Sequence, residues 1–490
     1  MVKQREFQNL IGGKVQPASG GGYFDSINPS TGEVWARFPA SDQSDAVAAV
    51  AAAKGALSAW ASLNPNVRSS YLQKVAEVFL EYGDELGEIE TLDNGNLFAI
   101  TRHANGAGTA GGWIRAAHDT VAAATGRTVM LGPGVQAFTQ REPYGVVAAI
   151  VPFNMPIGMF GSKAASALAG GNTVVVKPPE QASAGILRVG ELLADVLPPG
   201  VLNIVAGFGD VGDAFVRHPD VAKVTMTGSS ATAKLIQRAG ADTLTPSIFE
   251  LGGKSPNIVF ADADLDAAAH GATIPSVFGF NAGQACVAGS RILIQRPVLE
   301  DMLKKIQAKA ETVLVGDPFD SATKMGPLVS QEQYDRVIGF LEVGSQEAEL
   351  VFGGRHGGDV VPELPGGYWV EPTLFLANDN ALRICQEEIF GPVGVVLPFD
   401  TEEEAIAIAN DTRYGLAAGV WTQDSARMHR CINQIQSGNV WVNTYMQIGH
   451  EIPFGGFKES GYGHDATLEF TREKAVVIAV EGQLAGQREA

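Results

Sequence analysis

The chain has 490 residues, of which 45% are hydrophobic and 18% are charged, and this composition is typical of a globular protein with about two to four domains. Its net charge of -19 argues against nucleic acid or an anionic membrane surface as a partner. The three cysteines have neither the spacing of a disulfide framework nor that of a zinc site, and no apolar run approaches the roughly 20 residues of a membrane helix. Because the first residues also lack the apolar segment of a signal peptide, we expect a cytoplasmic protein without a metal ion.

Helices are the first elements that the sequence predicts. From Ser44 to about Glu90, alanine-rich segments such as SDAVAAVAAAKGALSAW carry apolar residues at helical spacing, which indicates surface helices. The segment from Thr125 to Gly145 has the character of strands, and so does the segment from Glu473 to Gly482. Exposed apolar strands need a partner edge, so we expect these two segments to pair the subunits of a homodimer or homotetramer.

Two series of short strands predict the main architecture. From Tyr144 onward, the runs YGVVAAIVP, NTVVVKP, VLNIVAG, AKVTMTG and SPNIVFA alternate with helical stretches. Continuous apolar runs between helices are typical of parallel strands covered on both faces, which indicates a doubly wound α/β domain that binds nucleotides beyond the carboxyl ends of its strands. A second series, RILIQ, GYWVEPTLF, VGVVLPF, AAGVWT and GNVWVN, predicts a second α/β domain.

One cysteine lies in an unusual setting. The stretch FNAGQACVAGSR places Cys286 among small residues, with Gly283 three positions before it and Gly289 three positions after it. A free cysteine is most often a small buried hydrophobe, and that interpretation stands for Cys385 and Cys431. A thiol in a loop lined by glycines can also serve as a nucleophile, so the residues of Cys286 alone leave both interpretations open.

Three loops after predicted strands are candidates for binding a cofactor. The sequence GFGDVG gives Gly207, Gly209 and Gly212 the spacing of a dinucleotide fingerprint, but no acidic residue follows about twenty positions later, so a plain turn remains the alternative. In TVVVKPPEQA, Lys177 and Glu180 follow a strand, where a carboxylate can bind a ribose 2'-hydroxyl and repel a 2'-phosphate. In VTMTGSSATAK, the residues from Thr227 to Ser229 lead into a helix whose N-terminus can receive a pyrophosphate. The alternative for the last two loops is an ordinary polar turn.

Two further loops carry candidate catalytic groups. In PFNMP, Asn154 lies between two prolines directly after a strand, and a rigid amide donor is what an oxyanion hole requires. In ELGGKSPNIV, Glu250 precedes two glycines that allow other groups to approach closely. This carboxylate is either a general base or merely a charge at the end of a strand.

These motifs together resemble those of the aldehyde dehydrogenase superfamily over nearly the whole chain. The resemblance rests on seven motifs in order: PFNMP, KPPEQ, MTGSS, ELGGKSPN, GQACVAGSR, EEIFGPV and PFGGFKESGYG. It implies an α/β fold with an NAD-binding domain over 1–123 and 145–251, a related catalytic domain over 252–445, and a small β bridge for oligomerisation over 124–144 and 468–490. It also implies oxidation of a small-molecule aldehyde to its acid with reduction of NAD, through a cysteine thiohemiacetal and a thioester.

The resemblance implies roles for individual residues. Cys286 corresponds to the nucleophile, Asn154 and the backbone N–H of Cys286 to the oxyanion donors, and Glu250 to the base that activates water. The residues that it assigns to NAD are Lys177, Glu180, Gly228, Ser229, Glu388, Phe390, Phe153, Gly209 and Leu251. Relatives that pass the acyl group to coenzyme A lack a base at the place of Glu250. NADP is the less favoured cofactor because of Glu180.

Some positions differ from the usual family sequence. Phe153 replaces a common tryptophan, and Ala233 replaces a glycine near the pyrophosphate motif. The candidate walls of the substrate tunnel are small or apolar, and none of them is basic: Met155, Gly158, Met159, Ser162, Phe280, Met446, Ile448 and Phe454. They indicate a bulky apolar or aromatic aldehyde. The alternatives are a semialdehyde substrate, an esterase-like or thioester-forming enzyme, and an inactive binding protein of the same fold.

Overall fold

The structure is a computed structural model that describes residues 5–132, 134–449 and 452–479. The helices of these residues are α1 (Gln43–Ala61), α2 (Pro65–Asn94), α3 (Phe98–His103), α4 (Thr109–Ala122), α5 (Pro156–Ala169), α6 (Ala184–Leu193), α7 (Gly209–Arg217), α8 (Ser230–Gly240), α9 (Leu265–Thr273), α10 (Leu299–Ala310), α11 (Gln331–Glu347), α12 (Arg383–Gln386), α13 (Glu402–Asn410) and α14 (Ser425–Gln434).

The strands are β1 (Arg5–Glu6), β2 (Asn9–Ile11), β3 (Lys14–Gln16), β4 (Tyr23–Asn28), β5 (Glu33–Pro39), β6 (Thr128–Met130), β7 (Val135–Pro143), β8 (Val146–Ile150), β9 (Thr173–Lys177), β10 (Leu202–Ile204), β11 (Val221–Thr227), β12 (Ser247–Glu250), β13 (Pro256–Val259), β14 (Arg291–Gln295), β15 (Glu349–Phe352), β16 (Thr373–Leu376), β17 (Val393–Phe399), β18 (Tyr414–Gly415), β19 (Ala417–Trp421), β20 (Asn439–Val442), β21 (Phe457–Lys458), β22 (Gly461–Tyr462) and β23 (Thr471–Ala479).

The first sheet has the order β22-β12-β11-β8-β9-β10-β2-β3 within the described residues. Its five central strands, from β12 to β10, are parallel, and the strands at both edges are antiparallel. One face of this sheet packs on a buried cluster with α2, α4, α5 and α6, and the other packs on a cluster with α1, α7 and α8. The predicted doubly wound α/β arrangement is confirmed, with antiparallel edges that the sequence did not indicate.

The second sheet has the order β15-β16-β17-β14-β13-β19-β20 and is parallel except for β15. The run SPNIVFA, which we assigned to the first sheet, forms β13 at the middle of this second one. The assignment was wrong because another short strand, β12, precedes it and ends the parallel part of the first sheet. Only Ile248 and Phe249 are apolar in β12, so the strand is inconspicuous in the sequence.

Helix α2 corrects a further expectation. Its side chains Val75, Phe79 and Leu86 are completely buried, so it is not simply a surface helix. It packs against α4 and α6 and contributes to the core on one face of the first sheet. An alanine-rich amphipathic pattern does not show whether a second layer of helices covers the polar face.

The two strand segments outside the main sheets pair with each other. Strand β7 lies between β6 and β23, antiparallel to both, in a separate ribbon of the order β23-β7-β6. Several apolar side chains of this ribbon are exposed, including Met130, Val477 and Ile478. Pro133 and residues 480–490, which belong to the predicted segments, lie outside the described residues. In the described ranges, no helix is long and apolar enough to cross a membrane, and no cluster of metal-binding side chains occurs.

Candidate active site

The carboxyl ends of the parallel strands converge on one cavity. Strands β8, β9, β10, β11 and β12 end at the same edge of the first sheet, because parallel strands share one direction. Five residues at or shortly after the ends of these strands line a cavity of about 1630 Å³: Asn154, Lys177, Gly209, Ser229 and Glu250. A single space of this size is large enough for a dinucleotide together with a substrate.

The same cavity is lined by every residue that the family resemblance assigns to the site, whereas Gly207 of the candidate fingerprint is not in its lining. Besides those five residues, the lining includes Phe153, Met155, Gly158, Met159, Ser162, Glu180, Gly228, Leu251, Phe280, Cys286, Glu388, Phe390, Met446, Ile448 and Phe454. These residues come from segments up to about 300 positions apart, so only the tertiary fold brings them together. Cavity lining alone assigns no role to any of them.

The loop around Cys286 is compact, and its glycines are sterically required. Gly283 has φ +70°, and a Cβ there would lie 2.2 Å from the carbonyl oxygen of Gly391. A Cβ at Gly289 would lie 2.8 Å from the hydroxyl of Tyr445. These glycines therefore let the loop fold against two neighbouring segments, which explains the glycines on either side of the cysteine.

The two glycines after Glu250 bring other parts of the site close. A Cβ at Gly253 would lie 2.4 Å from the carbonyl oxygen of Cys286, and a Cβ at Gly252 would lie 2.0 Å from a carboxylate oxygen of Glu388. The backbone excludes a larger residue at Gly253, and a larger residue at Gly252 would displace the Glu388 carboxylate. The close approach expected from the ELGG sequence is present, and it joins the end of the first sheet to the cysteine loop.

Cys286 differs from the other cysteines in exposure. It is half-buried and borders the cavity, whereas Cys385 and Cys431 are completely buried in the core of the second sheet. Burial, together with the nearby carboxylates Glu388 and Glu250, raises the pKa of the Cys286 thiol to about 12. The thiol is therefore protonated at neutral pH in this state of the site, and a base or a positive charge is needed to activate it.

Glu250 is a buried carboxyl group without a partner. It is 6% exposed, and neither carboxylate oxygen has a hydrogen-bond partner in the described part of the chain. Burial raises its pKa to about 9, Asp465 adds to the increase, and Lys163 opposes it. Lys163 and Asp465 form a buried ion pair of 2.6 Å, which the sequence analysis missed because its partners are 302 positions apart. The carboxyl group is therefore mostly protonated at pH 7 in this state of the site, and strongly shifted pKa values of this kind cluster at functional sites.

Asn154 is held in place from several directions. Its side-chain nitrogen donates a hydrogen bond to the carbonyl oxygen of Gln284 at 3.0 Å, which uses one of its two N–H groups. Its backbone oxygen accepts bonds from Asn281 at 2.8 Å and from Asn96 at 3.1 Å. The amide therefore keeps one N–H for a ligand. Asn96 and Asn281 were missed because an asparagine in a loop carries no specific pattern.

A charged pair and two helix starts also line the cavity. Lys177 donates to the carboxylate of Glu180, so the two groups form an ion pair at the end of β9. Ser229 is the N-cap of α8, where its hydroxyl accepts from the backbone N–H of Thr232 at 3.1 Å. Gly209 is the first residue of α7. Helix α8 directs its partly positive N-terminus toward the space that Ser229 lines.

Glu388 and Phe390 also line the cavity. The Glu388 carboxylate accepts from the backbone N–H of Gly253 at 3.0 Å, and burial raises its pKa to about 7. Phe390 has φ +61° and packs edge-to-face on Phe153, with the ring centroids 5.6 Å apart. A phenylalanine at position 153 therefore fills the space beside Asn154 through aromatic packing.

Helix α4 and the residue before it form a part of the cavity wall that the sequence analysis did not predict. The cavity is lined there by Gly108, Thr109, Gly112, Arg115, Ala116 and Asp119. The lining also includes the basic residue Arg115, which is not among the predicted walls. Helix α4 packs against α5, whose small residues Gly158 and Ser162 line the same cavity. In the sequence, the spacing of four residues between Gly108, Gly112 and Ala116 could have indicated that these small residues share one helix face. Such a spacing does not identify a ligand.

Comparisons with known proteins agree with this geometry. Residues 15–476 match the aldehyde dehydrogenase family. The betaine aldehyde dehydrogenase of Rhizobium etli is 40% identical over 490 residues, which cover 99% of this chain and 99% of that protein. The chain belongs to the aldehyde dehydrogenase family. As a member of this family, the protein is an enzyme that oxidises an aldehyde.

Two solved relatives bear on the cofactor. PnpE of Pseudomonas sp. WBC-3, in complex with nicotinamide adenine dinucleotide, has a TM-score of 0.95 at 37% identity and covers 100% of both chains. The AldA indole-3-acetaldehyde dehydrogenase of P. syringae, in complex with NAD+ and IAA, has a TM-score of 0.93 at 38% identity, covering 98% of this chain and 97% of that one. The present aldehyde dehydrogenase uses NAD, and its helix N-terminus, ion pair and large cavity fit that group.

Proposed function

We propose that the enzyme oxidises a bulky apolar or aromatic aldehyde to its carboxylic acid, with Cys286 as the nucleophile and NAD as the oxidant. The observation that carries this proposal is the joint exposure of Cys286, Asn154 and Glu250 to one cavity, while the other two cysteines are completely buried. The family does not settle which aldehyde is used, because its members include a betaine aldehyde and an indole-3-acetaldehyde dehydrogenase.

In the first step, the Cys286 thiol releases its proton to solvent and the sulfur adds as a thiolate to the aldehyde carbon, so that the carbonyl oxygen becomes the oxyanion of a thiohemiacetal. The free N–H of the Asn154 amide and the backbone N–H of Cys286 are the donors for the oxyanion that develops. Gln284 holds the amide in this orientation through the bond described above. When bound, NAD supplies the acceptor for the hydride that leaves this carbon, and a thioester on Cys286 remains.

In the second step, Glu250 takes a proton from water, the water oxygen adds to the thioester carbon, and the carbon–sulfur bond breaks to release the acid. The unpartnered oxygens of Glu250 are available for this role. This base argues against an enzyme that only transfers the acyl group to another acceptor. A catalytically inactive binding protein is excluded as an alternative by the family assignment and by the presence of all three groups.

For the cofactor, we propose that the unit of residues 1–123 and 145–251 binds NAD and that the unit of residues 252–445 supplies the cysteine loop. Glu180 and Lys177 would contact the adenosine ribose. The pyrophosphate would be contacted by Gly209, Gly228 and Ser229. The nicotinamide end would be contacted by Phe153, Leu251, Glu388 and Phe390.

The placement of Glu180 predicts the choice of cofactor. A 2'-phosphate would bring negative charge beside a half-buried carboxylate, so kcat/KM with NAD should exceed that with NADP by at least about tenfold, or about 1.4 kcal/mol. Glu180→Gln should reduce this ratio, and Glu191→Gln, which removes a carboxylate outside the cavity, should not. Equal efficiency with both cofactors in the unmodified enzyme would show that Glu180 does not face the ribose.

The apolar side chains proposed to line the substrate tunnel predict which aldehydes the enzyme prefers. Methionine, isoleucine and phenylalanine side chains bury apolar substrate surface, which contributes roughly 25 cal/mol per Å². Octanal and benzaldehyde should therefore give a higher kcat/KM than acetaldehyde and succinic semialdehyde in a parallel assay of NADH absorbance. Succinic semialdehyde as the best of the four would support the semialdehyde alternative and overturn the proposal.

A variant of α5 tests the width of the tunnel. A Cβ at Gly158 meets only the end of Met155 at 3.8 Å, so Gly158→Leu fits locally but narrows the cavity. We expect it to reduce kcat/KM for benzaldehyde more than for acetaldehyde. Gly111→Leu on α4 is the matched control, because Gly111 has open space and does not line the cavity.

We further propose that the ribbon of β6, β7 and β23 pairs subunits in a homodimer or homotetramer. Its exposed apolar side chains support this proposal, since such strands need a covering partner. Met130→Asp should lower the mass measured by light scattering, whereas Val67→Asp on the exposed side of α2 should not. A monomeric unmodified enzyme would contradict the proposal.

A further inference from the structure

Two buried side chains, Asn281 and Gln284, connect the loop of Cys286 to the loop of Asn154. Gln284 is completely buried, Asn281 is nearly so, and neither residue lines the cavity. The Asn281 amide donates to the backbone oxygen of Asn154 at 2.8 Å and to that of Gln284 at 3.2 Å. The Asn154 amide in turn donates to the backbone oxygen of Gln284 at 3.0 Å. Asn154 is therefore held at both its backbone and its side chain by this pair.

The Gln284 side chain is the centre of this connection. Its amide nitrogen donates to the backbone oxygen of Asn281 at 3.1 Å and to the side-chain oxygen of the same residue at 3.3 Å. Its amide oxygen accepts from the backbone N–H of Val329 at 3.1 Å, on a third segment of the chain. Because the donors and the acceptor of this amide all have partners, the buried side chain has one defined orientation.

The backbone between the two residues adopts an unfavourable conformation. Asn281 has φ +48° and Ala282 has φ +49°, and Gly283 follows with φ +70°. Residues with a Cβ rarely adopt left-handed conformations in succession, because the Cβ then lies too close to the following carbonyl oxygen. Such a conformation persists where the surrounding structure holds it, and it occurs most often at functional sites. Here the hydrogen bonds of Asn281 and Gln284 hold the turn, and the Gln284 carbonyl reaches the Asn154 amide.

We propose that Gln284 is a positioning residue that acts through Asn154: it fixes the carbonyl that binds the Asn154 amide, so that the remaining N–H of this amide is directed at the oxyanion. This inference rests on the proposed function and adds a residue to which the sequence motif gave no role. A hydrogen-bond donor stabilises a transition state strongly only when it is correctly placed before the reaction, so a small rotation of the amide should slow hydride transfer.

Gln284→Met tests the proposal, because methionine is also unbranched but forms none of these hydrogen bonds. At saturating NAD and octanal, we expect the rate of NADH formation in the first turnover to fall at least about tenfold. The Kd for NAD should change little, since the residues proposed to hold the cofactor lie on other loops.

Asn203→Leu is the matched control. Asn203 is also completely buried, donates to two oxygens and accepts from one backbone N–H, but it does not line the cavity or contact Asn154. The substitution should lower the Tm and leave the first-turnover rate close to that of the unmodified enzyme. A similar loss of rate in both variants would assign the effect of Gln284→Met to general destabilisation and overturn the proposal.

A double variant separates positioning from a structural role. Asn154→Ala removes the amide through which Gln284 is proposed to act, so adding Gln284→Met to it should slow the first turnover by less than about threefold, since residues that act as one unit are not additive. If the two losses multiply instead, or if Gln284→Met alone keeps the full rate, the role of Gln284 is overturned.

Asn281→Gly keeps the proposal testable if Gln284→Met folds poorly. Glycine suits φ +48°, and the substitution removes one hydrogen bond to Asn154. It should slow the first turnover about fivefold, the effect of one hydrogen bond, and an unchanged rate would contradict the proposal. If Asn154→Ala itself keeps the full rate, the oxyanion role in the proposed function fails and this inference fails with it.

Discussion

Cys286→Ala should abolish aldehyde oxidation while NAD still binds. The substitution removes the sulfur that forms the covalent intermediate, and loss of a nucleophile typically reduces turnover by at least about ten-thousand-fold. The residues proposed to hold NAD lie on other loops, so its dissociation constant should change little. The measurements are NADH absorbance with octanal and calorimetric titration with NAD.

The other two cysteines are the matched controls for this experiment. Cys385→Ala and Cys431→Ala should keep nearly full rates, because both thiols are buried in the core of the second sheet and do not reach the cavity. Burial raises the pKa of each to about 11, so neither is an available thiolate. Full turnover by Cys286→Ala would remove the cysteine from the mechanism.

Glu250→Gln should separate the two halves of the reaction. The nucleophile and the oxyanion donors remain, so one hydride per active site is transferred, but water is no longer activated and the thioester persists. A stopped-flow record should show a burst of NADH close to the enzyme concentration, followed by turnover slowed at least about a hundredfold. Unchanged steady-state turnover would show that another group is the base.

The pH dependence provides an independent check on Glu250. Because burial holds its pKa at about 9, the carboxylate form increases as the pH rises from 7 toward 9. The rate of thioester hydrolysis in the unmodified enzyme should therefore rise over this range. The rise should disappear in Glu250→Gln, which has no proton to lose at that position.

The fold could be predicted where apolar runs are long and bounded by helices. The strands β8, β9 and β11 are of this kind, and their runs of β-branched residues made them visible. Strand β12 has only two apolar residues, and β13 was placed in the wrong sheet, because a run shows that a strand exists but not which neighbours it pairs with. The short strands near the N-terminus carry too few residues for a periodicity.

The site was predictable where a loop carries a reactive side chain in a recognisable motif. Cys286, Glu250 and Asn154 belong to this group, and the structure gathers them at one cavity. Lys163 and Asp465 could not be predicted, because their importance arises from contacts between distant segments. The raised pKa of Glu250 depends on the same long-range burial.

A mass measurement on Glu250→Gln tests the central claim most directly. The protein would be incubated with NAD and octanal, quenched in acid and digested, and its peptides compared with those of a sample without aldehyde. Our account predicts one acyl group, bound through the Cys286 sulfur, on the peptide that contains FNAGQACVAGSR. NADH formation without any acylated peptide, or with the acyl group on Cys385 or Cys431, would contradict it.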